Sequence, residues 1–188
     1  MSEFRPVTGR MIYHILHPRP AVLVISIDSQ GKPSGMVASW TISLSHSPPL
    51  VGVAIVPTRY TYGLIRDSKE FTLNVFTAEF VKEIQYLGTA SGKYEDKFSK
   101  VRLALEPSRS VRPPRVREAI GVMECRLERI IDVGGDHDLF VGRVVEAYAK
   151  EEFFEEVYQP SKAKVLLHIG SRLYTTPSNE IIVPPKIE

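Results

Sequence analysis

The sequence predicts a mainly β protein, built as an antiparallel sheet or barrel with a few short helices. Two runs, residues 21–27 and 50–56, are apolar, rich in β-branched side chains and bounded by turn residues, which is typical of strands covered on both faces. About seven segments have the pattern of strands and two that of helices, without regular alternation of the two kinds. This arrangement favours an antiparallel fold over a doubly wound one.

Between those two runs lies a segment, Met36 to Ser45, in which apolar and polar residues alternate. A period of two predicts a strand, here with one face rich in hydroxyl groups. Trp40 falls on the opposite face to Ser39 and Thr41, so a straight strand cannot direct all three at one ligand. Either the chain bends at this point, or Trp40 packs in the core.

The middle of the chain predicts two short helices separated by a strand. Residues 61–68 have an apolar side, and Thr61 can cap the N-terminus of that helix. Residues 70–76 are typical of a strand, and residues 78–87 place apolar side chains at helical spacing. The polar stretch 88–100 is interpreted as irregular.

The C-terminal half predicts a long hairpin. Residues 121–128 alternate as in a half-exposed strand, and the turn at 132–136 is followed by a partner strand at 139–148. One more strand is predicted at 165–169. The Pro- and Arg-rich segment before the hairpin is interpreted as a loop, and the tail from Thr176 as a surface arm.

Bulk composition excludes several classes of protein. The 188 residues are predicted to form one domain, 1–188, and the 24 Lys and Arg against 22 Asp and Glu do not indicate a nucleic-acid partner. The single cysteine, Cys125, cannot form an intramolecular disulfide and is predicted to fill the core. The N-terminus has no signal sequence and the apolar runs are too short to span a membrane, so we expect a cytoplasmic protein without a membrane partner.

Motifs for several common enzyme chemistries are absent from the sequence. There is no Gly-rich dinucleotide fingerprint, no phosphate-binding loop and no His-Glu-x-x-His sequence. His14 and His17 lie three residues apart without an evident third ligand, so we interpret them as surface or packing residues and predict no metal site. If the protein is an enzyme, its chemistry is expected to come from a cofactor.

Four motifs occur in a recognisable order along the chain. They are Gly-Met-Val-Ala-Ser-Trp-Thr from Gly35, Thr-Arg-Tyr-Thr from Thr58, Glu-Asp-Lys-Phe from Glu95 and Gly-Asp-His from Gly135. Together with their surroundings they resemble the flavin reductase-like family, whose members hold FMN in a split β-barrel. The resemblance implies an antiparallel Greek-key split β-barrel that forms a single FMN-binding domain. Trp40 and Lys97 are similar to the flavoredoxin and ferric reductase branch.

The residue types themselves also suit FMN, which carries one terminal phosphate. Thr58, Arg59 and Thr61 lie at the start of a predicted helix, whose N-terminal N–H groups favour an anion. Ser39 and Thr41 offer hydroxyl groups on one face of a strand. Ordinary alternatives are a plain helix cap for Thr61, a solvated loop position for Arg59 and an exposed strand face for the two hydroxyls.

The resemblance implies roles for the remaining residues. The indole of Trp40 would lie near the isoalloxazine ring, and Lys97 near the ring or the phosphate. Near the ring, the charge of Lys97 would favour the anionic reduced flavin. His137 is the predicted catalytic residue, because it can fix the geometry of hydride transfer. A core tryptophan, a solvated lysine and an exposed histidine are the alternatives. The predicted FMN contacts are Ala38, Ser39, Trp40, Thr41, Thr58, Arg59, Tyr60, Thr61, Lys97, His137 and, as an aromatic wall or simply a surface residue, Tyr174.

The resemblance implies an NAD(P)H-dependent flavin reductase, with free flavin, ferric iron or a protein as electron acceptor. A flavoredoxin-type FMN carrier without direct use of a nicotinamide is the first alternative, and a non-catalytic barrel that has lost its cofactor is the second. No residue that would bind a 2′-phosphate is recognisable, so the sequence does not indicate whether NADH or NADPH is used. The resemblance also implies a homodimer with FMN near the interface, and the two fully apolar strands, which need cover on both faces, favour the same state.

Overall fold

The computed structural model describes residues 4–184 and confirms a mainly β, antiparallel fold. Residues 185–188 of the predicted surface arm lie outside the described residues. The strands are β1 (Arg19–Pro20), β2 (Val22–Ile27), β3 (Pro33–Ala38), β4 (Thr41–Ser45), β5 (Leu50–Ile55), β6 (Glu70–Val75), β7 (Leu105–Glu106), β8 (Arg115–Val116), β9 (Gly121–Asp132), β10 (Asp138–Ala149), β11 (Leu167–Gly170) and β12 (Leu173–Thr175). The helices are α1 (Met11–His14), α2 (Tyr60–Ser68) and α3 (Val81–Thr89), with short 3₁₀ turns at Ala78–Phe80 and Phe98–Lys100.

Seven strands form one antiparallel sheet in the order β3-β2-β6-β9-β10-β5-β4. The two edge strands, β3 and β4, follow each other in the chain and are joined only by Ser39 and Trp40. Three Cα–Cα steps reach at most about 11 Å, whereas a flat seven-stranded sheet would separate its edges by about 29 Å. The sheet must therefore curl until its edges approach each other, as a barrel requires.

The continuous strand predicted over residues 36–45 is wrong. β3 pairs with β2 and ends at Ala38, and β4 begins at Thr41 and pairs with β5. The chain therefore bends at Ser39 and Trp40, which was one of the two alternatives for this segment. Apolar and polar residues alternate within β3 and again within β4, so the sequence pattern does not reveal the bend. The bend is visible only in the hydrogen-bonding partner, which is β2 for β3 and β5 for β4.

The hydrophobic core lies on both faces of β2, every residue of which is buried. Leu23 and Ile25 belong to the cluster that packs against α3, whereas Val22 and Val24 pack with residues of β5, β6 and β10. Successive side chains of a strand point to opposite faces, so this division follows from the strand period. The sequence predicts that both faces of β2 are buried. This is confirmed, and residues of the same chain bury both faces. Cys125 is fully buried in the second cluster, also as predicted, and burial raises the pKa of its thiol to about 12.

The long hairpin of β9 and β10 is confirmed, but the alternation predicted for β9 is wrong from Val122 to Glu124, where Val122 and Glu124 are buried and Met123 is exposed. The Glu124 carboxylate is fully buried and accepts hydrogen bonds from the backbone N–H groups of Arg109 and Ser110 and from the hydroxyl of Tyr148. A buried carboxylate is tolerated where donors satisfy it. Glu124 therefore anchors the Pro- and Arg-rich loop to the sheet, although its position in the sequence alternation indicated a solvent-facing side chain.

Five short helices and strands, α1, β1, β7, β8 and β12, have no counterpart in the sequence prediction. β1, β11 and β12 form a small separate sheet, in which β11 corresponds to the strand predicted at 165–169. Tyr13 of α1 contacts Trp40, so α1 lies beside the junction of β3 and β4. Across residues 4–184, no helix is long and apolar enough to cross a membrane.

Candidate functional site

Two adjoining cavities lie where the β3–β4 junction, the start of α2 and the end of α3 meet. The first, here the Lys97 cavity, has a volume of about 320 Å³ and is lined by residues 58–61 and Lys97 among others. The second, here the Tyr174 cavity, has a volume of about 200 Å³ and is lined by Ser39, Gln85 and Tyr174 among others. Arg59 and Gly88 line both cavities, so the two spaces are neighbours, and together they are called the groove here.

The start of α2 presents backbone N–H groups to the Lys97 cavity. Arg59 is the residue that precedes the helix, and Tyr60 and Thr61 are its first two residues. The predicted capping role of Thr61 is wrong: it lies inside the first turn, its side chain is buried, and no side chain caps this helix. The first N–H groups of a helix have no intrahelical acceptor. Together with the Arg59 guanidinium they make this end of the groove favourable for an anion.

Lys97 is buried, at 4% exposure, in the wall of the Lys97 cavity. Its ammonium donates to the carbonyls of Leu87 and Ala90, at 2.6 and 3.0 Å, and so binds the carboxyl end of α3. The pKa of Lys97 is lowered to about 8, chiefly by burial and also by repulsion from Arg59, while attraction to Glu95 opposes the change. The solvated lysine considered for this position is therefore excluded, and a desolvated cation lies beside Arg59.

Trp40 and His137 form an aromatic contact at the β3–β4 junction. Their ring centroids are 4.7 Å apart, and the centroid of the Trp40 ring also lies 5.0 Å from that of Tyr13 of α1. His137 precedes β10, and its Nδ1 lies 2.8 Å from a carboxylate oxygen of Asp136, whose pKa the histidine lowers. The His137 side chain is 28% exposed, so its ring is partly buried although the turn that precedes it is exposed.

The hairpin tip is held against α2 by a second contact. Tyr62, in the first turn of α2, donates its hydroxyl to Asp138 at 2.6 Å, and this hydrogen bond raises the pKa of the phenol. Asp138 is also paired with Ile55, the last residue of β5. The hairpin tip and the start of α2 are thereby fixed relative to each other, which sets His137 in a defined place beside the groove.

Tyr174 lies on β12 and is held in the Tyr174 cavity by its hydroxyl. This hydroxyl donates to the side-chain oxygen of Gln85 at 2.9 Å, and burial raises the pKa of the phenol. The ring also packs 5.5 Å from His168. Sequence reasoning missed Gln85 and His168, because a polar residue in a predicted helix and a histidine near the end of a predicted strand carry no signal of a shared cavity.

The structure brings together seven of the predicted contacts and separates others. Ser39, Thr58, Arg59, Tyr60, Thr61, Lys97 and Tyr174 all line the groove. Trp40 and His137 form the neighbouring aromatic contact. Ala38 is the last residue of β3 and its side chain is buried in the core, while Thr41 lines a separate apolar cavity on the other side of the bend. The roles of these residues toward a ligand stay predictions.

No group of three or more His, Cys, Asp or Glu side chains within residues 4–184 is arranged to hold a metal ion. His14 and His17 instead pack against each other, with ring centroids 5.6 Å apart. The ring of His17 also contacts that of His168, and its Nδ1 donates to the carbonyl of Ile169. His14 and His17 thus pack with each other, and His17 also packs with His168.

Comparison with known proteins adds a family and a fold to this geometry. The family model described as flavin reductase like domain matches residues 14–176. The reductase component of a 4-nitrophenol 4-monooxygenase/4-nitrocatechol 2-monooxygenase from Rhodococcus opacus is 30% identical over 148 residues, which cover 79% of this chain and 72% of that protein.

Two solved structures resemble the chain over most of its length. An FMN-binding protein from Thermus thermophilus, with bound 1-cyclohex-2-enone, has 28% sequence identity and a TM-score of 0.85, covering 98% of this chain and 100% of that one. The flavoredoxin of Desulfovibrio vulgaris (Miyazaki F) has 26% identity and a TM-score of 0.81, covering 89% and 91%. These similarities confirm the split-barrel fold that the sequence resemblance implies.

Proposed function

Because the chain belongs to the flavin reductase like family, we propose that it binds FMN and acts as an NAD(P)H-dependent oxidoreductase. The observation that carries the proposal is that the Lys97 and Tyr174 cavities adjoin each other, which places a cationic end beside a polar and aromatic one. When bound, FMN supplies the capacity to accept a hydride and to deliver electrons to free flavin, ferric iron or a protein. The chain itself contributes binding, orientation and electrostatics.

The groups that line the groove fit FMN. Arg59, Lys97 and the first N–H groups of α2 provide charge and donors for a phosphate. Among the described residues, the buried Nδ1 of His168 has no hydrogen-bond partner. Because Nε2 of this ring donates to the carbonyl of Ser171 at 3.1 Å, Nδ1 is left as an acceptor. The hydroxyl and imide N–H groups of a flavin mononucleotide are donors of the kind that this nitrogen lacks.

His137 is proposed to orient the nicotinamide rather than to transfer a proton. Since its Nδ1 donates to the Asp136 carboxylate, Nε2 is left as an acceptor. The contact with Trp40 limits rotation of the imidazole. An acceptor held in this way can bind the carboxamide N–H of a nicotinamide and fix its orientation, which is worth a large factor in rate. Hydride transfer to a flavin requires no general acid or base.

The first experiment is the absorption spectrum of the purified protein with added FMN, followed by NADH and NADPH oxidation under anaerobic conditions. We expect a bound-flavin spectrum that bleaches with at least one of the two dinucleotides. Protein that binds no FMN at micromolar concentration would contradict the cofactor assignment and favour a barrel that has lost its cofactor. If FMN binds but neither dinucleotide reduces it, the result would favour an electron carrier. The structural similarity to a flavoredoxin supports that alternative.

We also propose a homodimer in which the partner covers an apolar face of the barrel near the FMN site. A cavity of about 440 Å³, here the Met123 cavity, is lined mainly by apolar side chains that include Ile42 and Met123. These two side chains are 54% and 39% exposed in the single chain. Large exposed apolar patches mark interaction surfaces. Light scattering should report twice the chain mass, and a monomer that still binds FMN would contradict the dimer.

A cytoplasmic location accords with one buried thiol.

A further inference from the structure

A third groove begins where the Tyr174 cavity ends. This groove, here the Lys82 groove, has a volume of about 500 Å³ and runs along α3. It shares Gln85, Thr89 and Tyr174 with the Tyr174 cavity. A ligand that extends past Tyr174 out of the proposed flavin site therefore enters the Lys82 groove directly.

The Lys82 groove combines two cations with two aromatic rings. Lys82 and Arg172 line it, and within residues 4–184 neither forms an ion pair with a carboxylate. Tyr86 and Tyr174 also line it, and their hydroxyls already donate to Glu95 and Gln85. Their rings are thus the parts left to contact a flat group, and the two cations are left to contact an anion.

The hairpin tip has the reverse charge. Asp132, Asp136 and Asp138 lie at the hairpin tip that carries His137. The pKa of Asp136 is lowered, chiefly by its hydrogen bond to His137, so this carboxylate is ionised at neutral pH. Carboxylates repel phosphates, so a phosphate-bearing ligand that contacts the site is directed away from the hairpin tip and toward Lys82 and Arg172.

We propose that the Lys82 groove binds the adenosine end of the nicotinamide dinucleotide. Lys82 and Arg172 then bind the 2′-phosphate, so that the protein prefers NADPH to NADH. The inference rests on the proposed function of the neighbouring cavities. Arg59 and Lys97 are the cations assigned to the phosphate of FMN, and the dinucleotide brings further phosphates that need cations of their own. The 2′-phosphate is a second anion that NADH lacks, and the adenine is a flat group for the tyrosine rings.

The test uses the FMN-loaded full chain and the variants Lys82→Gln and Arg172→Gln, with Lys69→Gln as the matched control. Lys69 is an exposed lysine at the far end of α2 from the site, so it reports on net charge alone. Binding of adenosine 2′,5′-bisphosphate is measured by calorimetry, and FMN affinity by titration. KM for NADPH and for NADH is measured on the same proteins.

We expect each groove variant to weaken binding of the bisphosphate by about threefold to tenfold, as for partly exposed charge-assisted contacts. KM for NADPH should rise in parallel, with little change in KM for NADH, in kcat or in FMN affinity, and the Lys69→Gln control should match the parent. Equal effects of all three variants, or displacement of FMN by the bisphosphate, would overturn the proposal. If neither dinucleotide reduces bound FMN, the proposed reductase function fails, and the calorimetry still decides whether the groove binds the nucleotide.

Discussion

The two ends of the candidate site, which are the cationic end of the groove and the neighbouring contact of Trp40 with His137 (here the aromatic end), are built in different ways. At the cationic end, Arg59 and Lys97 lie at the termini of helices: one precedes α2, and the other binds the last carbonyls of α3. At the aromatic end, Trp40 and His137 come from a strand junction and a hairpin tip and are held by side-chain contacts with Tyr13 and Asp136. The first arrangement fixes charge, and the second fixes the orientation of flat rings.

This difference separates the proposed functions of the two ends. Charge beside a helix N-terminus contributes to the affinity for a phosphate whatever the state of the ring it carries. Orientation of an aromatic ligand contributes to rate and changes affinity less. Substitutions at the cationic end should therefore change binding, and substitutions at the aromatic end should change hydride transfer.

The largest effect is expected from Arg59→Ala. Loss of a charge-assisted contact to the phosphate should weaken FMN binding by about 1.5–3 kcal/mol, which is roughly 10- to 150-fold in Kd. Riboflavin, which has the same ring without the phosphate, should bind equally well to both proteins. Flavin titrations of the parent, of Arg59→Ala and of Arg66→Ala, an exposed arginine on the same helix paired with Asp67, check this. Equal loss of FMN and riboflavin affinity would assign Arg59 to the fold and not to the phosphate.

The converse is expected of His137→Ala. Without the acceptor that orients the nicotinamide, reduction of bound FMN should slow by about tenfold or more. FMN affinity should change by less than about threefold, because no charge on the phosphate is lost. Stopped-flow reduction and a flavin titration on the same preparation measure both quantities. An unchanged reduction rate would leave His137 without a role in the reaction and would remove the distinction between the two ends.

The pH dependence of FMN binding should locate Lys97 at the cationic end. Burial lowers its pKa to about 8 in the free protein, and a bound phosphate stabilises the ammonium and so raises that pKa. FMN binding is then linked to proton uptake above pH 8, and Kd should rise by about fivefold from pH 7 to pH 9. Lys97→Met should remove this dependence. A Kd that stays constant over this range in the parent would place the ammonium outside the influence of the phosphate.

The same lowered pKa of Lys97 affects the stability of the fold in the opposite direction to its effect on FMN affinity as the pH rises. A lysine whose pKa is lower in the folded than in the unfolded state means that the unfolded chain binds more protons between pH 8 and the ordinary lysine pKa of about 10.4. The contribution of Lys97 to the free energy of unfolding therefore rises with pH in that window. FMN affinity and apparent stability without FMN should change in opposite senses as the pH is raised.

The smallest effect is expected from Tyr13→Leu. This change removes one aromatic contact on Trp40 and keeps an apolar side chain in α1, at a cost of about 0.5–1 kcal/mol. Reduction of FMN should slow by about two- to fivefold, since 1.4 kcal/mol corresponds to a factor of ten. Tyr94→Leu, at a tyrosine that is 82% exposed, is the control and should leave the rate unchanged. A larger effect on FMN affinity than on the rate would mean that α1 supports the cationic end as well.

Much of the fold follows from local patterns that need no knowledge of the partners. The apolar run at 21–27 became β2, the hairpin at 121–148 became β9 and β10, and the helix predicted at 61–68 became α2 within one residue. Periodicity and turn chemistry are set by neighbouring residues, so they can be read before the chain is folded. α1 and β12, of four and three residues, are too short to carry such a period.

The candidate site divides along the same line. Thr58–Thr61 at a helix start and His137 after a Gly-Gly-Asp turn are local features, and the sequence by itself determined that these motifs belong to a flavin-binding type of barrel. Only the tertiary structure decided that Lys97 is buried against the end of α3, that Glu124 is buried and satisfied by a loop, and that His168 faces the same cavity as Ser39. The exposure of a polar side chain depends on which groups elsewhere in the chain satisfy it, and those groups become its neighbours only when the chain folds.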